Sequence, residues 1–288
     1  MHPRKLGLVL GGGGAKGSAH LGVLQEIERL GMEFDLVCGT SIGALVGAIM
    51  AAGQRTAAIE RAFRETTLRR ILALDPARWG LIGSDRLAAV LTDLLGERTI
   101  EDLPLPYAAV AVDLVTGHEV VLERGSLVEA ALASAAVPGV FPPRRNGDYI
   151  LADGGIRNNL PIDVARRMGA ERVVAVNLIG EFAEFSIADP RHARLFSLRR
   201  WAPITQLVLA ERAIALMVEQ LTAHRLRETP PDLLITPDVS TISMANLNLL
   251  DDGIAAGAAA VRPYRDELDA LRRWRLGEDL ALKPGRIG

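Results

Sequence analysis

The chain of 288 residues holds a single cysteine, Cys38. An internal disulfide is therefore excluded, as are zinc and iron–sulfur sites built on thiolates. Histidine is also scarce: the five lie at 2, 20, 118, 192 and 224, and no two share one helical face at metal-ligand spacing. Neither a metal nor another cofactor is called for. Aromatic residues make up only 4% of the chain, so alanine and the branched aliphatics must fill the core. No strong charge of either sign is present. Lys plus Arg number 33 against 35 Asp plus Glu, a formal net charge of −2, which gives no electrostatic footprint for nucleic acid. At 49% hydrophobic and 24% charged residues, the composition is that of a folded chain with a large core. A secretory leader is not expected, because the apolar run at 6–10 is short and stops in four glycines. The longest uncharged run, 36–54, contains Thr40, Ser41 and four glycines, and fits a buried strand, turn and helix better than a membrane span. The compartment expected is cytoplasmic.

What is present is an alternation of short apolar strands and helical periodicities. Strands are predicted at 5–10, 36–38, 108–114, 119–122, 149–152, 172–177 and 233–236. Helices are predicted at 18–30, 42–52, 55–72, 84–95, 127–134, 161–168, 204–227 and 253–261. The β-α-β-α order of the first 52 residues argues for a parallel sheet between helical layers. One domain over residues 6–264 is expected, with 265–288 as a charged tail.

Two glycine patterns stand at strand–helix junctions. Gly12-Gly13-Gly14-Ala15-Lys16-Gly17 satisfies G-x-G-x-x-G between a strand and a helix. A nucleotide-binding reading needs a ribose acid at the end of the second strand, and Asp35 instead precedes that strand. Such a loop directs several backbone N–H groups at one point, which suits a phosphate or the oxyanion of an acyl-transfer intermediate. The plainer role is a tight turn. Gly39-Thr40-Ser41-Ile42-Gly43 is G-x-S-x-G where a strand meets an apolar helix, the setting of a nucleophile elbow. Ser41 is the candidate nucleophile and the Ile42 N–H points at the same place; the plainer role for Ser41 is a helix cap.

A nucleophilic serine needs a base. His118, His192 and His224 occupy no convincing position after a late strand and read as surface residues. Asp153-Gly154-Gly155 follows a strand and lies at its carboxyl end, where α/β sites form. A carboxylate takes a serine proton directly when burial raises its pKa toward neutrality. An Asp-Gly-Gly run is also an ordinary turn.

With Ala-Ser-Ala-Ala-Val-Pro-Gly-Val-Phe-Pro-Pro at 133–143 and Asp-Gly-Gly-Ile-Arg-Asn-Asn-Leu-Pro at 153–161, these patterns together resemble the patatin-like phospholipase family over about residues 6–260. That family includes the catalytic domain of neuropathy target esterase. The resemblance implies a three-layer α/β/α fold with a mostly parallel central sheet. It also implies a Ser–Asp dyad that cleaves lipid acyl esters through an acyl-enzyme, without histidine or cofactor. By position, Ser41 is the nucleophile, Asp153 the base, and Gly12, Gly13 and Gly14, with Ile42, the oxyanion hole. Lys16, Gly17, Gly39, Gly43, Gly154 and Gly155 support the motifs. Many members carry Arg where this chain has Lys16, which keeps the charge without the bidentate fork. The implied partner is a lipid or acyl-ester substrate. The alternative function is a regulatory or adaptor protein on the same fold.

Residues from Phe182 to Trp201 hold four of the twelve aromatics, interspersed with Arg191, Arg194, Arg199 and Arg200. That composition suits peripheral membrane contact or a cover over an acyl site; the plainer role is a connecting segment with its aromatics packed inward. Oligomeric state is not specified by any of these features.

Overall fold

A computed structural model describes residues 4–65, 84–179, 203–240, 242 and 250–278. Eight strands form one sheet: β1 Leu6–Leu10, β2 Leu36–Thr40, β3 Tyr107–Asp113, β4 Glu119–Leu122, β5 Arg144–Asn146, β6 Tyr149–Asp153, β7 Arg172–Val176 and β8 Leu233–Ile235. The hydrogen-bonded path is β5-β6-β3-β2-β1-β7-β8, with β4 pairing β3 off that path. From β3 to β8 along it all pairings are parallel, whereas β4 and β6 run antiparallel to β3 and β5 antiparallel to β6.

The described helices are α1 Ser18–Arg29, α2 Ile42–Ala51, α3 Thr56–Glu65, α4 Ser84–Leu95, α5 Leu127–Ser134, α6 Ile162–Arg167, α7 Pro203–Glu228, α8 Leu250–Val261 and α9 Arg265–Arg275. Strand alternation sorts the core into two layers. Leu6, Leu8 and Leu10 face a cluster with α1–α5, α8 and α9, while Val9 faces the opposite cluster with Ile162, Val164 and Ala165 of α6 and Leu226 of α7. The protein is thus a three-layer α/β/α fold, as expected. Each fully buried leucine of β1 contributes about 2 kcal/mol of apolar burial. With few aromatics, close backbone approach substitutes for bulk. A Cβ on Gly22 of α1 would stand 2.0 Å from the Ile254 carbonyl oxygen, and one on Gly257 of α8 2.0 Å from that of Ala19, so the two helices cross at near backbone contact.

Three expectations need correction. β2 runs two residues beyond 38, to Thr40, which makes Ser41 the first residue after the strand. The hairpin strand β5 was not anticipated, because Arg-Arg-Asn has no β signal. Residues 265–275 of the expected tail form helix α9, whose Leu268 and Leu271 are buried in the core. Arg275 holds that helix down, donating from Nε and Nη2 to the two Asp35 carboxylate oxygens at 2.9 and 3.0 Å and from Nη1 to Glu33 at 3.0 Å. The predicted helix at 55–72 is described only to Glu65. The aromatic segment at 182–201 lies outside the described residues.

Candidate active site

Sheet register brings the two catalytic candidates together. On β3, Val110 pairs Val121 of β4 and Thr40 of β2, while Ala111 pairs Val120 of β4 and Asp153 of β6. Since β4 occupies one edge of β3, β2 and β6 share the other. They run toward each other and end opposite consecutive residues. Ser41 therefore leaves β2 where Asp153 closes β6.

The elbow is strained. Ser41 has φ 56° and ψ −126°, the one non-glycine with positive φ among the described residues. A β-carbon in that region costs about 1–3 kcal/mol and persists only where neighbours enforce it. Two neighbours do so here. The Ser41 N–H donates to Ser134 Oγ at 2.9 Å, and that hydroxyl donates to the Val110 carbonyl at 2.6 Å. Gly39 and Gly43 make the turn possible, because a Cβ on Gly39 would lie 2.5 Å from the Gly43 backbone and one on Gly43 2.1 Å from the Leu10 carbonyl oxygen. Ser134 is fully buried and Ser41 is 7% exposed.

Asp153 is 6% exposed. Burial pushes its carboxyl up to about 6, against the opposing effects of the Ser41 hydroxyl and the Gly155 N–H. The Gly155 N–H donates to Oδ1 at 2.8 Å, whereas Oδ2 is buried without a close, aligned hydrogen-bond partner. The Ser41 hydroxyl thus influences the carboxylate without a tight bond to it. Gly154 must be small, since a Cβ there would stand 2.1 Å from the Val110 carbonyl oxygen.

In the glycine loop, the Gly11 N–H donates to Val176 O at 3.0 Å and the Gly12 N–H to Asn159 O at 3.1 Å. Gly12 therefore does not present a free N–H, contrary to its expected place in an oxyanion hole. It does lie against Ser41, where a Cβ would be 3.1 Å from that of the serine. The N–H groups of Gly13, Gly14 and Ile42 have no partner among the described residues. Gly14 has φ 58° and opens the short 3-10 turn Gly14–Gly17, in which Lys16 is half-buried. Gly17 contacts the elbow, its Cβ position lying against the Ile42 side chain.

Residues passed over by sequence reasoning complete the frame. Thr40 Oγ1 donates to Asn158 O at 2.8 Å, and Asn158 Nδ2 donates to Asp163 at 2.9 Å. Asn159 and Ser134 lay inside quoted motifs, but nothing in local spacing revealed their partners. His118 and His224 are exposed, and fully buried His20 hydrogen-bonds through Nε2 to the Gly11 carbonyl at 2.8 Å. Burial lowers His20 to about 4, so it is neutral and donates that bond. Cys38 is a buried core residue with its Sγ 3.2 Å from Met168 Sδ, and burial pushes its thiol up. Asp35 lies at the amino edge of the sheet, accepting from the Leu6 N–H at 2.8 Å and from Arg275, which removes the nucleotide reading. Among the described residues no acidic, histidine or cysteine cluster could hold a metal ion, and no helix is long and apolar enough to cross a membrane.

Fold and site define an α/β protein with a strained serine turn, between strand and helix, at the carboxyl edge of its sheet. The profile of the family described as patatin-like phospholipase matches residues 8–166, and the chain belongs to that family. An NTE family protein of Mycobacterium tuberculosis is 34% identical over 272 residues, covering 90% of this chain and 46% of the relative. Patatin-like phospholipase domain-containing protein 6 of Mus musculus is 36% identical over 182 residues, 60% of this chain and 13% of that protein. The chain thus spans about half the length, or less, of these curated relatives. The crystal structure of VipD from Legionella pneumophila shares the fold, with TM-score 0.53 at 16% identity over 92% of this chain and 67% of that one.

Proposed function

We propose that the protein is a serine acyl hydrolase acting on lipid esters through Ser41 and Asp153. The observation that carries this is the strained Ser41 set at the end of β6 beside a buried carboxylate whose proton affinity is raised to about pH 6. A carboxylate in that range is ionised at neutral pH yet basic enough to accept the serine proton as the hydroxyl attacks. Family membership supports the lipid ester as substrate class.

The steps follow from these roles. Ser41 Oγ bonds to the ester carbonyl carbon as its proton passes to Asp153. The negative charge on the carbonyl oxygen is held by the N–H groups of Gly13, Gly14 and Ile42, the last at the positive end of α2. Collapse of the intermediate breaks the bond to the alcohol, which leaves with the proton from Asp153. Water then gives a proton to Asp153 and attacks the acyl-serine; the bond to Ser41 Oγ breaks, Asp153 returns the proton to that oxygen, and the fatty acid is released.

The hydrolase meets its substrate at a membrane surface. Support comes from Leu114, Val115, Tyr149 and Ile150, which are exposed by 49, 67, 48 and 43% at the turn ends of β3 and β6. The Leu114 N–H donates to Ile150 O at 2.8 Å, so the two exposed segments adjoin. Ile150 lies three residues before Asp153 along β6, about 10 Å away.

The test is release of fatty acid from vesicles containing phospholipid, lysophospholipid or diglyceride. Wild type is expected to turn over at least one of them, and Ser41→Ala none above the uncatalysed rate. Equal rates for the two proteins would contradict the proposal and favour the adaptor reading.

A further inference from the structure

Two successive peptide planes of the glycine loop are gripped from outside the loop. The first joins Gly11 to Gly12. Its carbonyl accepts from His20 Nε2 at 2.8 Å and its N–H donates to the Asn159 carbonyl at 3.1 Å. The second joins Gly12 to Gly13. Its carbonyl accepts from Asn159 Nδ2 at 3.5 Å, and its N–H, that of Gly13, has no partner among the described residues. In a trans peptide the C=O and N–H point in opposite directions. Holding the Gly12 carbonyl therefore aims the Gly13 N–H the other way. Glycine peptides flip at little steric cost, so without a grip this N–H would have no fixed direction.

The Asn159 side chain is also wedged between the two halves of the site. Its Oδ1 lies 2.4 Å from where a Gly12 Cβ would be and 3.1 Å from where a Gly155 Cβ would be, and the latter point is 3.0 Å from Asp153 Oδ1. Asn159 is 4% exposed and His20 fully buried, so neither grip is diluted by solvent.

We infer that Asn159, with His20 behind it, is a positioning residue that sets the Gly12–Gly13 peptide so that the Gly13 N–H is preorganised for the oxyanion. The inference rests on the hydrolase reading. A donor aimed at developing charge acts in the transition state more than on bound substrate. Removing the grip lowers kcat and leaves KM nearly unchanged.

The variants are Asn159→Ala, which deletes the donor, and Asn159→Asp, which replaces it by an acceptor facing the Gly12 carbonyl. An acyl trifluoromethyl ketone, which adds to the serine and carries an oxyanion, and a non-hydrolysable ether analogue serve as paired probes. For Asn159→Ala, kcat is expected to fall about 10- to 100-fold. Affinity for the ketone should fall by a similar factor, with ether affinity unchanged. Asn159→Asp should lose more. Where Asn159 variants melt before assay, His20→Gln and His20→Leu test the supporting grip on the Gly11–Gly12 plane: Gln retains an amide donor and should lose much less than Leu, and equal losses overturn the inference. Wild-type turnover with an unchanged Asn159→Ala overturns the positioning role alone. Ketone and ether weakening together also overturns it, because that marks a general loss of structure. Absence of wild-type turnover and of ketone binding overturns the hydrolase reading, and the positioning role with it.

Discussion

The two halves of the candidate site are built differently. The nucleophile half is local: β1, the glycine loop, α1, β2 and α2 follow one another within residues 6–51, and both loops occupy consecutive strand–helix junctions of a parallel βαβ unit. The base half is assembled from a distance. Asp153 comes from an antiparallel hairpin at one end of the sheet and meets Ser41 only through the register of β3, where Thr40 and Asp153 stand opposite Val110 and Ala111. Strain is concentrated at the elbow, where backbone geometry is enforced by Ser134 and the flanking glycines. Electrostatic cost is concentrated at the base, where a carboxylate is buried with one oxygen unpartnered. One half stores conformational strain and the other stores proton affinity.

The comparison can be broken at each half separately. The largest effect is expected from Ser41→Ala, a loss of about 10³-fold or more in kcat with the melting temperature near that of wild type, because alanine keeps the β-carbon and with it the backbone strain. Next comes Gly154→Ala. Its methyl would collide with the Val110 carbonyl, displacing the base and pressing on the oxygen that anchors Ser134 behind the elbow. A fall of about 100-fold in kcat and a destabilisation of about 1–3 kcal/mol are expected, read by steady-state kinetics and urea unfolding. Ser134→Ala removes the acceptor for the Ser41 N–H and leaves the base untouched. Its kcat should fall about 10- to 100-fold while the acidic limb of the pH profile stays near its wild-type position.

The smallest effect sharpens the contrast in stability. The Asp153 carboxyl is raised from 3.8 to about 6 on folding, so the folded chain holds that proton more tightly than the unfolded one. As pH rises from about 4 to about 6 this group removes stability, and the loss is complete above about 6. Asp153→Asn cannot ionise and should therefore be more stable than wild type at pH 8, by about 2–3 kcal/mol, the gain vanishing near pH 4. His20, lowered to about 4, acts in the opposite sense, adding stability as pH rises from about 4 to about 6.5. The difference between variant and wild type, not the wild-type curve alone, isolates Asp153.

The same contrast explains what could be read from the chain. The elbow and glycine loop were legible because glycine spacing, strand length and helix onset are contiguous in 6–51. Asp153 was legible only as a candidate base at a strand end, in a run that is also an ordinary turn, because its importance depends on β6 pairing. The use of the Gly12 N–H by Asn159, 147 residues away, left no local trace. Helix α9 was hidden by its charge, although Leu268, Leu271 and Trp274 recur every third residue and mark its buried side.

The most direct measurement of the central claim is the rate of fluorophosphonate adduct formation, followed by intact mass across about pH 4 to 9. Wild type should gain one adduct, absent in Ser41→Ala, with a rate that rises through a single limb near pH 6 and then levels, and Asp153→Asn should lose both the limb and most of the rate. An Asp153→Asn protein that reacts at the wild-type rate with the same limb would contradict the dyad.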